Sequence, residues 1–290
     1  TEYRGVRVWE CPPNGAGLAA LIALNIAEGF DIQSMGFQSA ETYHHLIESM
    51  RLAYADALGY VGDPAQVNIP VSRLLDKDYA SQRRSAIGWD KVLQHPHAGN
   101  VYKPSNTAYL TVIDEKGNGC SFINSLYESF GTGLVVPETG IALHNRGALF
   151  SLDPKHPNAL SPGKRPYHTI IPAMATRGDE LWLSFGVMGG FQQPQGHLQV
   201  IANMVDFGLD PQQALDALRF SIQIGDGVAV ESEVPLQTQE ELRRRGHSVI
   251  VYGDENRSLF GGGQIIERDP NTGVLKAGSE PRKDGCAIGW

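Results

Sequence analysis

Apolar and polar positions follow two different rhythms along this chain, and the change between them falls near Thr107. Before it the period is helical. A strand-like Tyr3–Trp9 leads into the turn Cys11-Pro12-Pro13-Asn14-Gly15-Ala16-Gly17, and an apolar helix is predicted from Leu18 to Glu28, where Gly29 can terminate it. Ser39 then caps a longer helix with Glu41 in its first turn. Its positions Tyr43, Leu46, Ile47, Met50, Tyr54, Ala57 and Leu58 keep the three-and-four spacing of a buried face. Gly62-Asp63-Pro64 ends this unit. Ser72–Arg84 predicts a short polar helix, and Ile87–Ser105, rich in His, Pro, Gly and Asn, predicts a mobile linker.

From Thr107 the period is two. Tyr109–Ile113 and Gly119–Asn124, joined by Glu115-Lys116-Gly117-Asn118, predict a β-hairpin. Gly140–Leu143, Thr169–Ala175 and Leu181–Phe185 predict further strands, with a long loop at Ser151–Tyr167. Helical pattern returns at His197–Phe207, at a segment opened by Asp210 and Pro211, and at Leu236–Arg245 before Gly246. Val249–Tyr252, Gly263–Glu267 and Gly285–Ile288 predict closing strands. This order of helices, strands, helices and strands predicts stacked sheet and helix layers in one domain, without internal repeats.

Composition narrows the function classes. The 290 residues can bury a sizeable core. Net charge is −8 with both signs interspersed, so no polycationic surface for nucleic acid or anionic lipid is expected. No apolar run is long enough for a membrane span. Cys11, Cys120 and Cys286 are odd in number and far apart, which fits neither a metal site nor a disulfide framework and favours a reducing, cytoplasmic setting, a periplasmic or extracellular one being the alternative. His44 and His45, without a carboxylate at metal spacing, read as packing or surface residues of their helix.

Three stretches can carry chemistry. Cleavage of the Asn106–Thr107 bond would leave Thr107 opening a strand with a hydroxyl nucleophile and a free α-amine able to take its proton. Gly189-Gly190, after the strand Ser184–Met188, can turn the backbone sharply and aim successive N–H groups at one point, as an oxyanion hole requires; a phosphate cradle or an empty tight turn has the same local look. Asn124–Gly133 sets polar residues in strand surroundings, where a hydroxyl can bond a nucleophile or cap a turn.

Together, Thr107 with Val112-Ile113-Asp114, Phe130-Gly131-Thr132-Gly133, Lys164-Arg165-Pro166, Gly189-Gly190, Asp206-Phe207-Gly208-Leu209 and Arg219-Phe220 resemble the γ-glutamyltransferase family of N-terminal nucleophile hydrolases. Pro12–Gly17 and Tyr54–Pro64 resemble the end of that family's large subunit, so the likeness runs the length of the chain. The resemblance implies an α+β fold, a four-layer αββα sandwich. Residues 1–106 would be the C-terminal part of the large subunit, whose front would be missing, and 107–290 the small subunit. It implies Thr107 as nucleophile, its α-amine as base, Gly189 and Gly190 as oxyanion hole, and Ser125 where the family has a second threonine. It calls for no metal or organic cofactor and leaves room for a homo-oligomer of processed heterodimers.

The departures bear on substrate. Leu149 stands where γ-glutamyl enzymes hold the substrate's amino group with an acid, and His168-Thr169 where they hold its carboxylate with paired serines. Tyr127 and Arg146 also differ from the pattern. Tyr127, Arg146, His168 and Thr169 are therefore expected to line an altered substrate site, with Arg146, Arg165 and His168 as cationic or donor groups for a small acid. The variant set resembles the branch that includes oxamate amidohydrolases and cephalosporin-type acylases. The expectation is a self-processing amide hydrolase acting on a small acidic amide such as oxamate. The alternatives are a γ-glutamyltransferase or glutathione hydrolase, a cephalosporin-acylase-like amidase, and a non-catalytic paralogue that stays uncut.

Overall fold

A computed structural model describes residues 1–93, 107–223 and 227–290. Most of the linker predicted after Ile87, including Asn106, lies outside them. The N-terminal strand-like stretch is split into β1 (Glu2–Tyr3) and β2 (Val6–Glu10), because Arg4 and Gly5 both take positive φ and reverse the chain. Helix α1 (Gly17–Ala27) is buried at every position and carries no charge, the signature of a helix enclosed by neighbours on all sides. Its one strongly polar side chain, Asn25, is satisfied by Leu75 O (3.0 Å), Thr1 Oγ1 (2.5 Å) and Lys77 Nζ (2.6 Å).

After the single turn α2 (Ile32–Met35), α3 (Ala40–Tyr60) begins where the sequence predicts, Ser39 Oγ accepting the Thr42 N–H at 3.0 Å. The predicted helix at Ser72–Arg84 is two: α4 (Val71–Leu74) and α5 (Lys77–Arg84). Asp76 caps the second by accepting the Tyr79 N–H at 2.9 Å, which interrupts the first. No described helix is long and apolar enough to cross a membrane.

Hairpin β3 (Thr107–Ile113) and β4 (Gly119–Ser125) pairs residue for residue from Thr107↔Ser125 to Ile113↔Gly119. Strands β5 (Ala173–Arg177) and β6 (Glu180–Met188) follow, then α6 (Gln192–Val205) and α7 (Pro211–Asp216), the latter opened by an Asp210–Gln213 capping box. A three-stranded sheet of β7 (Phe220–Ile222), β8 (Gly227–Glu231) and β9 (Ser248–Tyr252) encloses α8 (Leu236–Arg244) in its parallel crossover. Strands β10 (Gly262–Arg268) and β11 (Leu275–Ser279) complete a six-stranded antiparallel sheet in the order β1-β2-β5-β6-β10-β11.

Alternation along β6 fixes the layering. Phe185 and Val187 face α6: the Phe185 ring lies 5.0 Å from that of His197, and a Cβ at Gly196 would press on Val187. Ser184 and Gly186 face the hairpin instead. Thr111 Oγ1 donates to Ser184 Oγ at 2.5 Å, and a Cβ at Gly186 would lie 2.6 Å from the Tyr109 ring. Helices, six-stranded sheet and hairpin thus form three successive layers. The outer face of the hairpin, Leu110, Val112 and Phe122, is exposed.

Two predicted strands are not strands. Gly140–Leu143 makes only an isolated bridge, Val135↔Ala142, because Gly140 turns the chain at φ +72°. Gly285–Ile288 runs exposed beyond β11, and the closing strand is Leu275–Ser279 instead. Strands β7 and β8 escaped prediction because every residue in them is buried, which erases the alternation that marks a half-exposed strand.

Candidate active site

Thr107 opens β3 directly across from Ser125, the last residue of β4, so the hairpin register brings the two hydroxyl residues together. Asn106, the other side of the expected junction, is outside the described residues. Ser125 is gripped by Arg146: Nη2 donates to Ser125 Oγ at 2.6 Å and Nη1 to Ser125 O at 2.9 Å. Arg146 heads a short 3₁₀ turn, Arg146–Leu149, held against the hairpin end because Asn145 N donates to Leu126 O (3.1 Å) and Asn145 Nδ2 to Glu128 Oε2 (2.6 Å). The guanidinium is buried, its Nε has no partner among the described residues, and burial pulls its pKa down, with Tyr127 opposing. Tyr127 is itself buried, at φ +80°.

Gly189 and Gly190 follow β6 at φ +130° and +61°, and a Cβ on Gly189 would sit 3.2 Å from Gly261 Cα. Their carbonyls receive the N–H groups of Gln192 (3.0 Å) and Gln193 (3.1 Å) at the start of α6, while among the described residues neither of their own amides has a protein acceptor. The strand end before them is braced by a pair absent from the sequence reading. The Val187 N–H donates to His197 Nε2 (3.1 Å), which fixes the tautomer so that His197 Nδ1–H donates to Glu10 Oε1 at 2.6 Å. Glu10 and His197 lie 187 residues apart, so no local motif could have joined them.

Two clefts meet at Thr107. One, about 570 Å³, is bordered by Ser125, Phe130, Met188, Gly189 and Lys283. The other, about 420 Å³, runs along β3 past Gln264, Lys283 and the exposed C-terminal segment. Lys283 lines both and was not singled out by sequence.

The expected donors for an acid are differently disposed. Arg165 is engaged by Asp63, through Nη2 at 2.7 Å and Nε at 3.1 Å to Oδ1, and those bonds hold the Asp63 carboxyl well below the usual range. His168 is bridged by backbone to Gly15, its ring packed on that glycine and its buried Nδ1 without a partner among the described residues. Burial first, then Arg146 and Arg165, lower its pKa to about 4, so the ring is neutral near pH 7. Thr169 is buried, and Leu149 packs against the core. Neither His168 nor Thr169 borders the two clefts at Thr107. Among the described residues no group of His, Cys, Asp or Glu is placed to hold a metal ion.

Comparison with known proteins covers the whole chain. The profile described as gamma-glutamyltranspeptidase matches residues 1–290. A glutathione hydrolase-like YwrD proenzyme of Bacillus subtilis is 40% identical over 294 residues, spanning 100% of this chain and 55% of the relative. An oxamate amidohydrolase proenzyme of Klebsiella pneumoniae is 33% identical, over 100% of this chain and 54% of its own length. Among solved structures, a cephalosporin acylase from Bacillus halodurans superposes with a TM-score of 0.90 at 50% identity, over 100% of this chain and 52% of that one. The chain thus spans about half the length of these relatives.

Proposed function

The chain belongs to the gamma-glutamyltranspeptidase family, and from that premise we propose that it carries the active site of a self-processing N-terminal threonine amide hydrolase. The observation that carries this reading is the meeting of Thr107, Ser125 and Gly189 on one cleft. Scission of the Asn106–Thr107 bond frees the Thr107 α-amine, whose ordinary pKa of roughly 8 makes it a serviceable base near neutrality. The amine takes the Thr107 hydroxyl proton as Oγ attacks the amide carbon. The Gly189 and Gly190 amides receive the oxyanion, the protonated amine hands its proton to the leaving nitrogen, and an ester remains on Thr107. Water, deprotonated by the same amine, cleaves that ester and releases the acid.

Ser125 contributes a directed proton. Because its Oγ already accepts from Arg146, its own O–H is left to donate, and Thr107 Oγ across the hairpin is the recipient that lowers the nucleophile's charge during attack.

A small acidic amide such as oxamate is the proposed substrate. Leu149, where a γ-glutamyl enzyme would carry an acid, supports this, as does the likeness to an oxamate amidohydrolase. The glutathione hydrolase-like relative favours γ-glutamyl hydrolysis as a second reading. By the same premise, an upstream half of the proenzyme completes the second sheet over Leu110, Val112 and Phe122 and adds the fourth layer. The test is the complete precursor, wild type and Thr107→Ala, analysed by intact mass and then given oxamate and a γ-glutamyl anilide. Two fragments meeting at Thr107 with ammonia release from oxamate support the first reading. Anilide cleavage alone supports the second, and an uncut, inactive wild-type precursor supports the non-catalytic paralogue.

A further inference from the structure

Lys283 has no role in the chemistry above, yet it stands where the two clefts at Thr107 join. Its backbone is fixed by its neighbour. Arg282 is fully enclosed and bound to both oxygens of Glu231 (2.8 and 2.6 Å), to Glu280 Oε1 (2.7 Å) and to the Leu215 and Ala217 carbonyls. Arg219 closes the network on Glu280 Oε2 at 2.8 Å. The Lys283 stem then lies over Gly262 beside Met188: a Cβ at Gly262 would come within 2.5 Å of Lys283 Cγ and 2.8 Å of Met188 Cε. Met188 immediately precedes Gly189, so the side chain is laid along the approach to the glycine pair.

The charge at its tip is unclaimed. Among the described residues no salt bridge or hydrogen bond reaches the Lys283 ammonium, and Glu280, the one acid acting on it, is already held by Arg282 and Arg219. Among the described residues it is the only cation bordering the cleft that also contains Ser125 and Gly189. Glu128, the acid there, accepts from Asn145 at 2.6 Å. Half-burial lowers the Lys283 pKa, so a partner anion would be welcome. Two nearby arginines among the described residues are committed: Arg146 to Ser125 and Arg165 to Asp63.

We propose that Lys283 is a specificity-determining residue whose ammonium receives a carboxylate on the acyl part of the substrate. This rests on Thr107 as nucleophile. The ester formed on Thr107 must present its carbonyl oxygen to Gly189, which seats the acyl unit in the cleft that Lys283 borders, the lone cation there among the described residues. The leaving amine then departs along the other cleft, where Asp284 accompanies Lys283. Substrates of this class are ω-carboxyacyl amides.

The test compares succinyl and glutaryl p-nitroanilides, together with oxamate, against butyryl p-nitroanilide and oxamide, their uncharged counterparts, using the complete processed precursor. In wild type at least one carboxylated probe should have the higher kcat/KM. Lys283→Met, which keeps the stem over Gly262, should lower kcat/KM on that probe by about tenfold or more, mainly through KM, and leave the uncharged counterpart within about twofold. Lys283→Arg should restore most of the loss. Equal losses on charged and uncharged probes, or a wild type that does not prefer the carboxylated ones, would overturn the assignment. A precursor that Thr107→Ala leaves fully active overturns the nucleophile reading and Lys283 with it. A processed enzyme indifferent to Lys283→Met overturns Lys283 alone.

Discussion

At the level of single side chains, the arrangement around Ser125 is the most consequential. One charge-assisted bond from a buried guanidinium orients this hydroxyl, and a second holds the carbonyl of the same residue. Removing them with Arg146→Met should lower kcat about 10- to 100-fold while KM changes little, since the ammonium of Lys283 stays in place. Steady-state kinetics on a probe that wild type hydrolyses checks this. A second expectation concerns buried imidazoles. His44 Nδ1 and His247 Nε2 share a hydrogen bond of 2.8 Å, and burial lowers their pKa values to about 4 and about 3. Unfolded, both titrate near 6.5. The unfolded chain therefore binds more protons as pH falls, and the stability present above about pH 6.5 should drain away toward pH 4, by roughly 1–2 kcal/mol per histidine between pH 7 and 5. Urea midpoints across that range should follow this slope, and His247→Asn should flatten it. The hairpin that pairs Thr107 with Ser125 was legible in sequence from its alternation and turn, while Ser125 itself was picked out only by the family resemblance. The Arg146 grip, Glu10–His197 and Lys283 were not, since each depends on which side chain the tertiary fold returns to the site.

Among elements, the turn from β6 to α6 tests backbone geometry directly. Gly189 at φ +130° occupies a region hostile to side chains, and a Cβ added there would meet Gly261 Cα at 3.2 Å. Gly189→Ala should cost about 1–3 kcal/mol of stability and reduce turnover more than 100-fold by misdirecting the two amides. Gly133 at φ +74° has open space around it, so Gly133→Ala should show strain alone, about 1 kcal/mol, with activity intact. Thermal unfolding and kcat measured side by side distinguish the two. Elements with a clear period or cap, such as α3 with Ser39 and α7 with its capping box, were readable from sequence. Those without one were not: β7 and β8 are buried throughout, and Gly140 converts an apparent strand into a turn.

For the whole molecule, the hairpin's outer face is the feature that sets an expectation. Leu110 is 49% exposed, Val112 42% and Phe122 51%, three apolar side chains of the β3–β4 hairpin facing outward together. Residues 1–290 alone should bind an apolar dye such as ANS more strongly than the complete precursor, and amides of β3 and β4 should exchange faster in the shorter chain. Equal dye binding and equal exchange would count against an upstream half covering this face.

The six-stranded sheet carries a further consequence. Strand β2 precedes Thr107 in sequence, yet it pairs in the sheet interior with β5, which follows it. Helix α1, also from the first part, is packed against α6 of the second. Scission before Thr107 would thus create two polypeptides that still own a single hydrophobic interior. Maturation should be unimolecular, independent of protein concentration and silent in sedimentation. Dilution should not part the two chains, because neither can leave without the melting of both.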